Sequence, residues 1–295
     1  MKAKLAQYLR DRLGISARLA RLQNEQEKQA RLIKTLASAL NMQEGEVFAA
    51  EANLLARVKK TLAEEFGIGE FNGLLHRNDL MLWYHLHHTA PDTLWGLSSY
   101  FRVGLRFVKQ VRNYCEREHC EPQRILDFGS GYGRMSRFLP HFFDATIIPT
   151  EIKAEAMRFQ EETFGFSGIT HTPDPGSFTS QPADLIMALS VFSHLREADT
   201  QAWIQTLMDV LNPGGRFLLS YHPVRGPREY EFKRGSEDEL LPLTADHLSE
   251  QDQYGVSFIS DNFWKKLAGN NGWQVEFLNF DFNGDQKALC LKHEN

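Results

Sequence analysis

Cysteine is scarce in this chain. There are three, Cys115, Cys120 and Cys290, and no Cys-x-x-Cys pair. An odd, sparse set offers no disulfide framework and fits a reducing, cytoplasmic compartment. The spacing of Cys115 and Cys120 could form half a metal site, but no second pair follows, so the two read as thiols on one helix. Long apolar runs are also missing: nothing approaches the roughly 18 residues of a membrane span. The opening MKAKLAQYLRDRLG has basic residues but no apolar core or cleavage site, so it does not read as a signal peptide. Nor is there an excess of positive charge. Lys and Arg number 33 against 38 Asp and Glu, which argues against nucleic acid as the main partner.

Proline is absent from the first 67 residues, which are rich in strong helix formers. Leu5, Tyr8, Arg12, Ile15, Leu19, Leu22, Gln26, Gln29, Ile33, Leu36 and Leu40 follow one another by threes and fours, a heptad seam with polar breaks. A second helix, carrying Val47, Leu54, Val58 and Leu62, follows the turn NMQEG. Two readings stay open for residues 1–67: a coiled coil that makes a homo-oligomer, or a hairpin folded back on the body. The basic start also leaves a peripheral membrane contact open.

Residues 68–122 are aromatic and histidine-rich, split by Pro91 into two helical parts. His85, His87 and His88 do not converge on one helix face, so no metal is expected there. This lead-in is expected to pack on the next domain and cover its ligand. From residue 123 to 295 short apolar strands alternate with amphipathic helices. RILDFG, ATIIPTE, GITHT, ADLIMALSV, GRFLLSYH, WQVEFLNFDF and QKALCLKH read as strands, and GRMSRFLPHFF as the first of the helices between them. The pattern predicts an α/β fold: a doubly wound, seven-stranded, mostly parallel sheet, its last strand antiparallel.

In such a sheet the ligand lies beyond the carboxyl ends of the strands. The stretch ILDFGSGYGR sits there, after the first strand. Gly129 and Gly131 suit a tight turn under a ligand, with a helix amino terminus beyond. The dinucleotide fingerprint needs a glycine at the sixth place, where Arg134 stands, and no Gly-Lys-Ser/Thr marks a phosphate loop. Asp127, just before the turn, suits a ligand with a positive group such as an amino acid moiety.

The stretch resembles motif I of the class I S-adenosylmethionine-dependent methyltransferases. Glu151 at the end of the second strand, ADLIMALSVFSHL, LMDVLNPGGRFLLS and the closing hairpin are similar to later family features in order. The resemblance implies S-adenosylmethionine as cofactor, held by Asp127, Gly129, Ser130, Gly131 and Gly133. It further implies Glu151 on the ribose hydroxyls, Ile152 on adenine, Asp174 as a candidate at the adenine edge, and Leu189 and Ser190 near the sulfonium. LDFGSGYGR and SVFSHL look most like enzymes acting on small molecules or on sugar and polysaccharide intermediates, which implies O-methylation. In that branch Tyr100, Arg102 and Arg106 would close over the cofactor. His194, Tyr221 and His222 follow the fourth and fifth strands and are the candidate bases. The polar stretch 223–243 reads as a lid whose Arg225, Arg228 and Arg234 could meet an anionic acceptor. The family's Asp/Asn-Pro-Pro-Tyr/Phe and Pro-Cys signatures of DNA methylation are absent. A protein or nucleic-acid target, or a non-catalytic module of the same fold, are the alternatives.

Overall fold

Along the strand Arg124–Phe128, Ile125 and Leu126 are both fully buried, yet they belong to two different cores. Successive side chains on a strand point to opposite faces, so a strand apolar at every position must be covered on both sides. That requirement is met by a central sheet with helices on each face.

The structure is a computed structural model; it describes residues 47–89, 92–234, 255–280 and 286–294. The heptad seam of residues 5–40, its following turn and the later part of the expected lid, 235–243, lie outside the described residues. In chain order the elements are β1 (Val47–Ala49), α1 (Ala52–Phe66), β2 (Leu74–His76), α2 (Leu80–Thr89), α3 (Thr93–Arg117), β3 (Arg124–Phe128), β4 (Thr146–Glu151), α4 (Ala154–Phe164) and β5 (Ile169–Thr170). There follow β6 (Ala183–Ala188), α5 (Glu197–Asp209), β7 (Leu211–Pro223), β8 (Tyr230–Arg234), β9 (Gly255–Ile259), α6 (Asp261–Asn270), β10 (Trp273–Leu278) and β11 (Lys287–His293).

The main sheet runs β10-β11-β7-β6-β3-β4-β5. Its pairings from β7 to β5 are parallel, and β11 is antiparallel to both neighbours. This is the doubly wound, mostly parallel sheet expected. One face carries Ile125, Leu185, Met187, Leu218 and Cys290 and packs under α3 and α1. The other carries Leu126, Ile186, Phe217, Leu219 and Leu289 and packs under α5 and α6. The helices supply matching stripes: α5 buries Thr200, Trp203, Ile204, Leu207 and Met208, a helical spacing of threes and ones.

Three expectations are corrected. Val47 lies not in a helix but in β1, which pairs antiparallel with β2. The stretch GRMSRFLPHFF forms only a 3-10 turn, Ser136–His141. Pro140 inside it has no amide to donate, and the chain must return to β4 within a few residues. The polar stretch after β7 is not wholly irregular: β8 pairs with β9, and β9 extends the carboxyl end of β7 through His222 and Pro223.

Candidate cofactor and catalytic site

Asp127 sits on β3 two places after Ile125 and therefore on the same face, beneath α3. It is fully buried. Ser136 donates to its Oδ2 at 2.6 Å, while Oδ1 is buried without a hydrogen-bond partner. Burial pushes its carboxyl up to about 7, Ser136 pulls the other way, and nearby Glu151 adds to the rise. A buried carboxylate with an unused oxygen is costly unless a cation or donor meets it.

The chain turns sharply after Phe128. Gly129, Gly131 and Gly133 all have positive φ, of 69°, 56° and 71°. The Gly129 and Ser130 amides both donate to the Thr150 carbonyl at 3.0 Å, which ties the turn to β4. A β-carbon on Gly131 would meet nothing within 4 Å, so a side chain there would enter the open space above the turn. Glu151 ends β4 against it. Its Oε2 accepts from the Gly131 amide at 2.9 Å, and its Oε1 from the Ile152 and Lys153 amides at 3.0 and 3.2 Å. A carboxylate offers about four lone-pair positions, so it retains capacity for a further donor. The following segment is a short 3-10 turn rather than a long helix, and the Gly129, Ser130, Gly131 and Gly133 amides are all engaged within the protein.

Residues that sequence reasoning missed hold this turn in place. Gln160 of α4 is fully buried and its Nε2 donates to Ser130 Oγ at 2.7 Å and to the Gly131 carbonyl at 2.8 Å. It was legible as the polar residue on the buried stripe of Ala156, Met157 and Phe159. Arg137 is also buried, and it donates to the carbonyls of Gly133, Tyr132, Asn72 and Leu74. It thus staples the glycine turn to β2. The backbone of α3 approaches the end of the turn at Gly104, where a β-carbon would fall 2.2 Å from the Arg134 carbonyl oxygen. The Arg134 guanidinium lies 3.3 Å from His85 Nε2, and His85 Nδ1 lies 3.0 Å from Ser99 Oγ. Burial first, and then Arg134, push the His85 imidazole down to about 3, so it is neutral.

The candidate bases separate by strand parity. Tyr221 follows Phe217 and Leu219 onto the α6 face of β7, where it is fully buried and donates to Asp261 Oδ1 at 2.7 Å. It is therefore turned away from Asp127's side of the sheet. His222 has the opposite parity, sharing Asp127's side of the sheet. Its Nε2 lies 3.5 Å from Nε2 of Gln286, which also donates to Ser190 Oγ at 3.0 Å. Ser190 itself has a φ of 60°, rare for a residue with a side chain. Its amide donates to Ser220 Oγ at 2.8 Å, and Ser193 Oγ donates to its carbonyl at 2.9 Å. Such outliers cost about 1–3 kcal/mol and cluster at functional sites. His194 lies in the same turn, with Nδ1 2.9 Å from the Gly255 carbonyl. A carbonyl only accepts, so Nδ1 carries the proton and Nε2 the lone pair. Burial chiefly lowers the His194 pKa, the Gly255 contact opposes this, and His222 lowers it further.

The remaining predicted residues are placed as follows. Ile152 is exposed beside Glu151, and Leu189 is buried just past β6. Asp174 caps a short 3-10 turn, its Oδ1 accepting from Gly176 at 3.0 Å. Tyr100 is buried and donates to Asp79. Arg102 and Arg106 pair with Glu65 of α1, at 2.6 and 3.0 Å, so both are engaged on the flank of α3 rather than closed over the turn. Arg228 pairs with Glu231 at 3.6 Å. Arg225 lies between β7 and β8, and the Arg234 side chain is outside what is described.

A family model described as a methyltransferase domain matches residues 100–277. The chain belongs to that methyltransferase family, and its doubly wound sheet is that of the class I S-adenosylmethionine-dependent enzymes. It is 22% identical over 111 residues to the cyclopropane-fatty-acyl-phospholipid synthase of Escherichia coli K12, a match covering 37% of this chain and only 29% of the synthase. Among solved structures it is similar to the glycopeptide N-methyltransferase MtfA in complex with S-adenosyl-L-methionine, with 14% identity, a TM-score of 0.48, and 65% and 94% of the two chains covered. It is also similar to the 1,6-didemethyltoxoflavin-N1-methyltransferase of Burkholderia thailandensis, with 12% identity, a TM-score of 0.48, and 65% and 79% coverage.

Proposed function

We propose that the protein transfers a methyl group from S-adenosylmethionine to a hydroxyl of a small molecule or of a sugar or polysaccharide intermediate. The observation that carries the donor is Asp127: a fully buried carboxylate with one unpartnered oxygen beside a three-glycine turn. These residues fit the cofactor. Asp127 would take its ammonium group, the Gly129–Gly133 turn would hold its methionine part, and Glu151 would accept from the ribose. Ile152 would meet adenine, and Leu189 and Ser190 would border the sulfur.

When bound, S-adenosylmethionine supplies an activated methyl group on a sulfonium. The chain's own task is then to position the acceptor and to remove its proton. His194, neutral and with its Nε2 lone pair set by the Gly255 carbonyl, and His222 are the two groups for that proton. Arg225 and Arg228 past β7 suit an acidic acceptor. Residues 68–122 serve as the cover of the cofactor site, and the heptad seam of residues 5–40 assembles copies of the chain.

Calorimetry with S-adenosylmethionine and with its demethylated product tests the donor. Binding by the wild type, lost in Gly131→Arg, is the expected result; absence of wild-type binding would sink the assignment. A radiolabelled methyl-transfer screen over cell extract, followed by fractionation, identifies the acceptor and the atom modified.

A further inference from the structure

At the opposite end of the sheet from this site, α3 stops in a way that brings two thiols together. The Cys120 amide donates to the Cys115 carbonyl at 2.9 Å, the His119 amide donates to the Glu116 carbonyl at 3.2 Å, and His119 takes a left-handed φ of 51°. This is a Schellman ending, in which the side chains of the first and sixth positions meet across the last turn. Here those positions are Cys115 and Cys120. The expectation of two thiols on one helix is thereby corrected: α3 ends at Arg117, and Cys120 lies beyond it.

The pair differs in access. Cys115 is buried and Cys120 half-buried. Both border a cavity of about 220 Å³ at the amino ends of β6 and β7, lined also by Glu121, Asp184, Gly215 and Arg216. Arg216 brings its positive charge to bear on Cys120, and its Nε is buried with no hydrogen-bond partner. An anion on the Cys120 sulfur would therefore sit beside a guanidinium, with the Cys115 thiol in the same cavity. The Cys120 thiol is brought down to about 7, first by Cys115 and then by Arg216, with burial and Glu118 opposing. Cys290, by contrast, is buried and pushed up to about 12. The thiolate is the reactive form of cysteine, so the pair consists of one half-buried, accessible nucleophile and one protected thiol against it.

We propose that Cys115 and Cys120 form a peroxide-responsive dithiol site, in which Cys120 reacts first and Cys115 resolves the product into an intramolecular disulfide. The Cys120 thiolate attacks one oxygen of hydrogen peroxide; the S–O bond forms, the O–O bond breaks, and hydroxide leaves and takes up a proton. The Cys115 sulfur then displaces the sulfenic oxygen; the S–S bond forms, the S–O bond breaks, and the Cys115 proton leaves in water. The two thiols lose two hydrogens, and the peroxide becomes two waters.

The test uses the full chain, reduced and then exposed to hydrogen peroxide, read by intact mass and peptide mapping. Loss of two hydrogens and one Cys115–Cys120 cross-linked peptide are expected. Cys115→Ser should stop at a sulfenic acid on Cys120, trapped by dimedone, while Cys290→Ser should behave as the wild type. Arg216→Gln should slow the reaction at neutral pH, with the rate recovered as pH is raised. A cross-link to Cys290 or between chains, or a wild-type map without the Cys115–Cys120 peptide, overturns the proposal; the map decides even if a variant fails to fold.

Discussion

Asp127 concentrates the chemistry of the donor site in one side chain. Its carboxyl, pushed up to about 7 chiefly by burial, is partly protonated at neutral pH before any cation arrives. In the folded chain Asp127 holds a proton between about pH 4 and 7 where the unfolded chain, with an Asp pKa of about 3.9, does not. Its contribution to stability is therefore present at low pH and is lost as pH rises through 7. A cationic ligand needs the ionised form, so its binding releases a proton below pH 7. Affinity for S-adenosylmethionine is expected to fall about tenfold per unit as pH drops below 7, since each unit is worth about 1.4 kcal/mol. Calorimetry from pH 6 to 8 checks this; a wild-type profile as flat as that of Asp127→Asn would refute it. The candidate bases are tested separately. Replacement of the true base by alanine should cut the turnover rate by roughly 10² to 10⁴ and remove the acid limb of the pH–rate profile. His194→Ala and His222→Ala are measured side by side, and two wild-type profiles would eliminate both. Gln286 is the companion to watch, because it touches both Ser190 and His222.

At the scale of elements, the contact between α3 and the glycine turn decides whether the lead-in and the site are one unit. At Gly104 a β-carbon would fall 2.2 Å from a backbone oxygen, which cannot swing aside. Gly104→Ala is therefore expected to destabilise the fold by about 1–3 kcal/mol, as overpacking does, and to weaken cofactor binding by shifting Arg134. Gly269→Ala is the control. It lies in α6, a β-carbon there meets nothing within 4 Å, and alanine should be neutral or better by up to about 1 kcal/mol. Thermal melts of the two variants give the comparison; equal melting temperatures would show that the contact yields. The same contacts explain what was legible beforehand. The βα alternation, Asp127, the glycines and Glu151 are written in consecutive residues, because a parallel sheet needs continuous apolar strands and a tight turn needs glycine. Tyr221 and His222 share the strand end but not the face, a distinction that needs the alternation Phe217, Leu219, Tyr221 followed to its last member. Arg137 and Gly104 were invisible for another reason. They act on partners thirty or more residues away, Arg137 on the carbonyls of Asn72 and Leu74, and Gly104 on that of Arg134. No local pattern encodes such contacts. The β8–β9 pairing was hidden likewise, since charged and proline residues around it read as loop.

For the whole molecule, the remaining question is what residues 1–46 do, and the core limits how it can be asked. Val58 and Leu62 of α1 are fully buried against α3, and β1 pairs with β2, whose Leu74 carbonyl Arg137 holds. A chain cut near residue 67 would therefore lose part of the core and confuse assembly with stability. A chain beginning at Val47 keeps every described element. The heptad seam from Leu5 to Leu40 carries polar members, Arg12, Gln26 and Gln29, of the kind that select register and number of strands at some cost in stability. If that seam joins copies of the chain, the shortened protein should fall to a single-chain mass in light scattering. Its melting temperature at high dilution and its affinity for S-adenosylmethionine should stay close to those of the full chain. An unchanged oligomeric mass would place the association elsewhere on the body. A monomeric full chain would leave the seam as a hairpin, and a full chain that binds anionic vesicles when the shortened one does not would assign the basic start to a membrane surface.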